Sequence, residues 1–146
     1  MSDSNNSSAI PTWFWVVTIL ALVWNLMGVM AYIEQVTLTA EALAAMSEAE
    51  RSLYQNTPAW ANGAFAIAVF GGTMGCVLLM LKNAAATITL IVSFVAIIVQ
   101  MGHAFFLSNS FEVFGPGGFI MPVMVIVIAG LLIWFAKSSE EKGWIS

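Results

Sequence analysis

Four apolar runs, each about as long as a helix needs to be to cross a lipid bilayer, occupy most of this chain and dictate what it can fold into. They extend over roughly Thr12 to Glu34, Ala59 to Leu81, Ala84 to Ser108 and Gly118 to Ala136. At a helical rise of about 1.5 Å per residue, some 20 apolar residues cover a hydrocarbon core of about 30 Å. Charged residues make up only 8% of the 146 positions and lie almost wholly between the runs. A water-soluble domain carries roughly 25%. The predicted fold is therefore an all-α membrane protein, a four-transmembrane-helix up-and-down bundle. It comprises a disordered N-terminal segment 1–11, a membrane domain 12–137 and a tail 138–146.

The first run does not read as a cleaved leader, because Met1 to Pro11 contains no Lys or Arg and the apolar stretch is too long. Basic residues near span ends tend to remain cytoplasmic. Lys82, Lys137 and Lys142 fall on one side and Arg51 on the other. The predicted orientation puts both ends and the Leu81-Lys82-Asn83 turn in the cytoplasm. The Val36 to Pro58 segment and the Asn109 to Gly117 loop then face outward.

The outward segment between the first two spans carries a helical stripe, Ala42, Met46, Ala49 and Leu53, with Glu41, Glu48, Glu50 and Arg51 on its other face. Ser47 and Glu50 have capping-box spacing, and Thr57-Pro58 ends this helix and starts the next span. A short outer interfacial helix is expected here. The three-residue turn at Lys82 makes spans two and three antiparallel neighbours. Gly115-Pro116-Gly117-Gly118 supplies turn chemistry before span four.

Helices in lipid associate through small residues and polar pairs, since hydrocarbon gives no hydrophobic drive between them. Span one has such a face in Thr18, Ala21, Asn25, Gly28 and Tyr32. Span two has Ala61, Ala64, Ala68, Gly71 and Gly75, with Gly72 beside them, and span three has Thr89, Ser93, Ala96, Gln100 and His103. Gly28, Gly71, Gly72 and Gly75 are the expected close-packing positions. Span four has no polar side chain between Gly118 and Lys137, which predicts a lipid-facing position and a packing role only. The aromatic groups Trp13-Phe14-Trp15 and Trp134-Phe135 read as interfacial anchors at the inner face, and Trp60 as an outer one.

Polar groups at depth are the functional candidates, because amides and charges in a bilayer are costly and normally face the bundle interior. Counted from the outer ends, Glu34, Asn62 and His103 lie near the interface, with Gln100 and Asn25 deeper. They are predicted to form one polar pocket. A histidine titrates near neutrality and suits proton coupling, and the two amides can donate to and accept from solute hydroxyls. Trp24 could stack on a sugar ring. Each residue also has a structural reading: Glu34 as a span end reaching water, the others as interhelical hydrogen-bonding groups.

Several classes are excluded. With a net charge of −4 and no basic run, the chain has no means of neutralising a nucleic-acid backbone. Cys76 is the only cysteine, so neither a disulfide framework nor a thiolate metal cluster is expected, and it reads as a small packing residue. No nucleophile with a base, metal-ligand cluster or phosphate loop is present, so no enzyme activity, metal or cofactor is predicted.

From Pro11 onward the chain resembles a family of small four-helix bacterial inner-membrane proteins. The resemblance rests on Pro11-Thr12-Trp13-Phe14-Trp15, Trp24-Asn25-Leu26-Met27-Gly28 and Thr57-Pro58-Ala59-Trp60-Ala61. It continues through Phe70-Gly71-Gly72, Gly75-Cys76, Val99-Gln100-Met101, Gly115-Pro116-Gly117, Met121-Pro122 and Lys142-Gly143-Trp144. Members commonly carry the label sugar transporter, so the resemblance implies an inner-membrane carrier of a small polar solute. Four helices leave little room for a solute path, so such a carrier is expected to be a homo-oligomer. Two other readings stand beside it. One is a non-catalytic accessory subunit that holds a partner membrane protein through the Gly71/Gly75 face or the outer helix. The other is a quinone-linked membrane redox protein.

Overall fold

A computed structural model describes residues 9–107 and 120–146, in which every regular element is a helix. The four long ones are α1 (Thr12–Val36), α4 (Ala59–Met80), α5 (Ala85–Gly102) and α6 (Ile120–Glu141); α5 runs on into a π-helical turn, His103–Leu107. Each is long and apolar enough to cross a membrane, so the chain is a multi-pass, all-α four-helix bundle. Its surface agrees. Leu20, Met30, Ile88 and Trp134 each expose about three fifths or more of their area, an arrangement that lipid solvates and water would not. The expectations for residues 1–8, Ser108, Asn109 to Gly117 and Gly118 lie outside the described residues.

Local chemistry sets the helix ends. Pro11 and Pro58 stand in extended conformation immediately before α1 and α4, one residue earlier than the first-turn position expected for Pro58. The outer segment is two short helices rather than one, α2 (Ala40–Ala45) and α3 (Glu48–Gln55). The break is at Ser47. Its extended backbone lets its hydroxyl accept from the Glu50 N–H at 3.2 Å, so the predicted cap interrupts the predicted stripe. Arg51 braces the junction by donating to the Leu43 and Met46 carbonyls.

Two Schellman motifs close the end that carries both termini. After α6, Gly143 takes a left-handed φ of 76°, its N–H donates to the Glu140 carbonyl and the Trp144 N–H donates to that of Ser139. After α4, Lys82 occupies the equivalent position at φ 57°, with Lys82 N–H on Leu79 and Asn83 N–H on Leu78. The tail is therefore not loose. Ser146 pairs with Lys82 and Ala84 through backbone bonds of 3.0 and 3.2 Å, and Ile145 is buried. Phe14, fully buried, stacks on Phe135 at 5.4 Å and meets Trp144 edge-on at 5.9 Å, while Lys142 lies over the Trp144 ring at 4.8 Å.

Packing follows the order α1, α4, α5, α6. α1 and α4 run antiparallel in strict register, each step along one matched by an equal step back along the other. Gln35 meets Asn62, Tyr32 meets Phe65, Gly28 meets Val69 and Asn25 meets Gly72. Across α4 and α5, Gly75 receives Leu90 and Gly71 receives Ser93. All four predicted packing glycines are thus contact points inside the chain, and the Gly71/Gly75 face is covered by α5. On α5 the buried face is Ala86, Leu90, Ser93, Ala96 and Ile97. Leu90 displaces the expected Thr89 because the hollow at Gly75 accepts a leucine, and Thr89 bonds instead to its own helix at Ala85.

Candidate functional site

The outer polar residues do not assemble as the sequence spacing predicts. Glu34 is exposed, one position off the buried stripe of α1. Asn62 pairs with Gln35, whose Nε2 donates to the Asn62 Oδ1 at 2.8 Å. His103 packs edge-on against Trp60 at 5.2 Å, at the start of the π-helical turn. Gln35 is the residue that sequence reasoning misses. The charge of Glu34 reads as the end of span one, although the stripe through Gly28 and Tyr32 reaches Gln35 by a further step of three and α1 continues to Val36.

The other two candidates, Asn25 and Gln100, do come together on one feature, a cavity of about 380 Å³ at mid-depth. α1 contributes Trp24, Asn25, Met27, Gly28 and Ala31; α4 contributes Phe65, Ala68, Val69 and Gly72. Leu90, Ser93, Ile97, Gln100 and Met101 come from α5, and Met121, Val125, Ile128, Ala129 and Leu132 from α6. The sequence predicts that α6 faces lipid and serves only packing. It is instead one wall of this cavity, and its terminal half, Leu132, Phe135 and Ala136, belongs to the core beside Phe14. No charged side chain lines the space. Glu34, Asn62 and His103 are not among its walls.

The bundle opens at this cavity for a simple reason. α1 and α6 are the first and last helices in packing order, and their ring contacts gather at the end that carries the termini: Phe14 and Trp13 with Phe135 and Trp144, at 5.3 to 5.9 Å. At mid-depth the facing residues on α1 and α6 are separated by the cavity they line.

Polar groups inside the spans divide by what they bond. Thr18, Thr73, Thr89 and Ser139 each donate to the carbonyl four residues back, at 2.7 to 2.8 Å, which satisfies the hydroxyl without linking helices. Asn25 and Ser93 do link. Asn25 Nδ2 donates to the Ala21 carbonyl at 2.8 Å and to Cys76 Sγ at 3.6 Å. The hydroxyl of Ser93 crosses to the Ala68 carbonyl at 2.6 Å. Gln100 is half-buried on the cavity wall, and its amide makes no hydrogen bond among the described residues. Those residues also contain no group of His, Cys, Asp and Glu side chains arranged to hold a metal ion.

A cavity of this size falls in the range that holds small molecules, and its chemistry is that of an apolar chamber with three polar side-chain groups besides the Trp24 indole. Gly72 on its wall makes room for the Asn25 amide. A Cβ there would run into Asn25 Oδ1 and stand 3.4 Å from Ser93 Oγ. No family model, curated protein or solved structure matches this chain, so the reading of the site rests on its geometry.

Proposed function

We propose that this protein binds an uncharged, mainly apolar small molecule that dissolves in the bilayer, and takes it up from the lipid into the cavity between α1 and α6. It would do so in a bacterial inner membrane with both ends cytoplasmic, as the lysine distribution favours. The observation that carries the reading is the cavity wall. It bears no charge, and its polar side chains other than Trp24 are Asn25, Ser93 and Gln100, of which Gln100 has an amide with no hydrogen bond among the described residues.

Magnitudes decide between this cargo and a sugar. A sugar brings several hydroxyls, and each one taken from water without a partner costs roughly 2–7 kcal/mol. Three polar side chains, two of them already bonded within the bundle, cannot offset that cost. An apolar body gains contact with the walls, and one polar group on it can meet Gln100. Carriage across or within the membrane remains the functional class that the resemblance implies, with a lipid-soluble cargo in place of a sugar.

The test uses Trp24 as reporter. The full chain in nanodiscs is titrated with a bromoalkyl probe, whose bromine quenches tryptophan on contact. Saturable quenching is expected in wild type, is absent in Trp24→Phe and is weakened at least tenfold by Ala129→Phe, which fills the cavity from α6. Saturable uptake of a labelled sugar into proteoliposomes that persists in Ala129→Phe, with no saturable quenching, would overturn the proposal.

A further inference from the structure

The cavity's polar floor has a sign that restricts the ligand further, a restriction that rests on the binding function proposed for the cavity. Asn25 is fixed in orientation by its neighbours. The Ala21 carbonyl can only accept, so the group 2.8 Å from it is Nδ2, and the same nitrogen reaches Cys76 Sγ at 3.6 Å. Both amide hydrogens are engaged. Oδ1 is therefore turned toward Gly72, where it receives no N–H or O–H among the described residues.

Ser93 is left in the same condition. Its single hydroxyl hydrogen goes to the Ala68 carbonyl at 2.6 Å, which leaves Oγ only lone pairs to offer. The two oxygens converge, since a Cβ built on Gly72 would meet both of them. Gln100 stands seven residues further along α5, about 10 Å away at the helical rise, and its amide both donates and accepts. It does not discriminate between kinds of polar group. The floor at Gly72 does.

We propose that the ligand carries a hydrogen-bond donor, a hydroxyl on an uncharged apolar body, and that this donor is received by Asn25 Oδ1 and Ser93 Oγ over Gly72. A carbonyl or ether oxygen placed there would set lone pair against lone pair, whereas a hydroxyl donates its one hydrogen to either oxygen or shares it between them. The ligand class is a membrane-dissolved alcohol or phenol.

The experiment compares 12-bromododecan-1-ol with its methyl ether at equal mole fraction in nanodiscs, reading the saturable quenching of Trp24 after subtraction of the Trp24→Phe signal. One hydrogen bond contributes about 1 kcal/mol net, so the alcohol is expected to bind about fivefold more tightly than the ether. Ser93→Ala should reduce that ratio toward one. Equal saturable binding of alcohol and ether in wild type, or tighter binding of the ether, would overturn the donor assignment and leave the cavity reading standing. Absence of saturable quenching by either probe would remove the cavity reading, and the donor assignment with it. The wild-type comparison needs no variant to fold.

Discussion

Replacing Gly72 by alanine adds one methyl group at the point where α1, α4 and α5 meet, and the neighbouring side chains determine what that methyl displaces. It would run into Asn25 Oδ1 and stand 2.9 Å from Asn25 Cγ. The amide cannot simply swing aside, because Nδ2 is tied to Ala21 and Cys76. Either the amide gives up those bonds, at about 0.6–1 kcal/mol each in a membrane interior, or α1 moves off α4 at an overpacking cost of about 1–3 kcal/mol. Alanine's better helix propensity returns up to about 1 kcal/mol. The expected net loss is about 1–2 kcal/mol. Gly63→Ala in the same helix is the control, since a Cβ there meets nothing within 4 Å; it should be neutral or stabilising by up to about 1 kcal/mol. Reversible unfolding of both variants in mixed micelles measures the difference, expected at about 1–3 kcal/mol. Asn25→Ala should rescue Gly72→Ala, giving a coupling energy between two touching residues. Equal stability of the Gly72 and Gly63 variants would refute the reasoning.

Two further substitutions probe the end that carries the termini. Lys82 holds a left-handed φ of 57° without the freedom of glycine, so Lys82→Gly is expected to raise unfolding stability by about 0.5–1 kcal/mol; a loss of stability in the same assay would show that the lysine side chain, not its backbone, matters there. Phe14 is fully buried between Phe135 and Trp144, so Phe14→Ala should cost about 3–5 kcal/mol, and a thermal midpoint unchanged from wild type would deny that this cluster pins α1 to α6.

The bundle is legible in the sequence because its rules are local. Run length gives the spans, and small residues at steps of three and four give the faces, so Asn25, Gly28 and Tyr32 on α1 face α4 as their spacing requires. Three features escape for physical reasons. Gln35 follows a glutamate and so reads as loop, although a helix end reaches past its first charge. α6 presents no polar side chain in its apolar run, so periodicity can assign it no face, and its place as a cavity wall depends on partners distant in sequence. The predicted outer pocket fails to assemble because depth is only one coordinate. Glu34, Asn62 and His103 share a level, yet Glu34 points outward, Asn62 is taken by Gln35 and His103 lies against Trp60.

Polar side chains in lipid are usually explained as glue between helices, and sorting them by bond partner tests that explanation here. The back-bonded hydroxyls of Thr18, Thr73, Thr89 and Ser139 join nothing, so their role ends within their own helices. Gln35 with Asn62, Asn25 with Cys76 and Ser93 with Ala68 are glue in the ordinary sense. Gln100 fits neither group. Its amide has no hydrogen bond among the described residues and stays accessible, since no buried side-chain nitrogen or oxygen there lacks a partner, and α5 places it on the same chamber as Asn25 and Ser93. Packing alone does not call for an amide there, because leucine or methionine would fill the same wall. On the proposed reading, a bilayer-dissolved molecule that enters the chamber gives this amide the partner it lacks among the described residues.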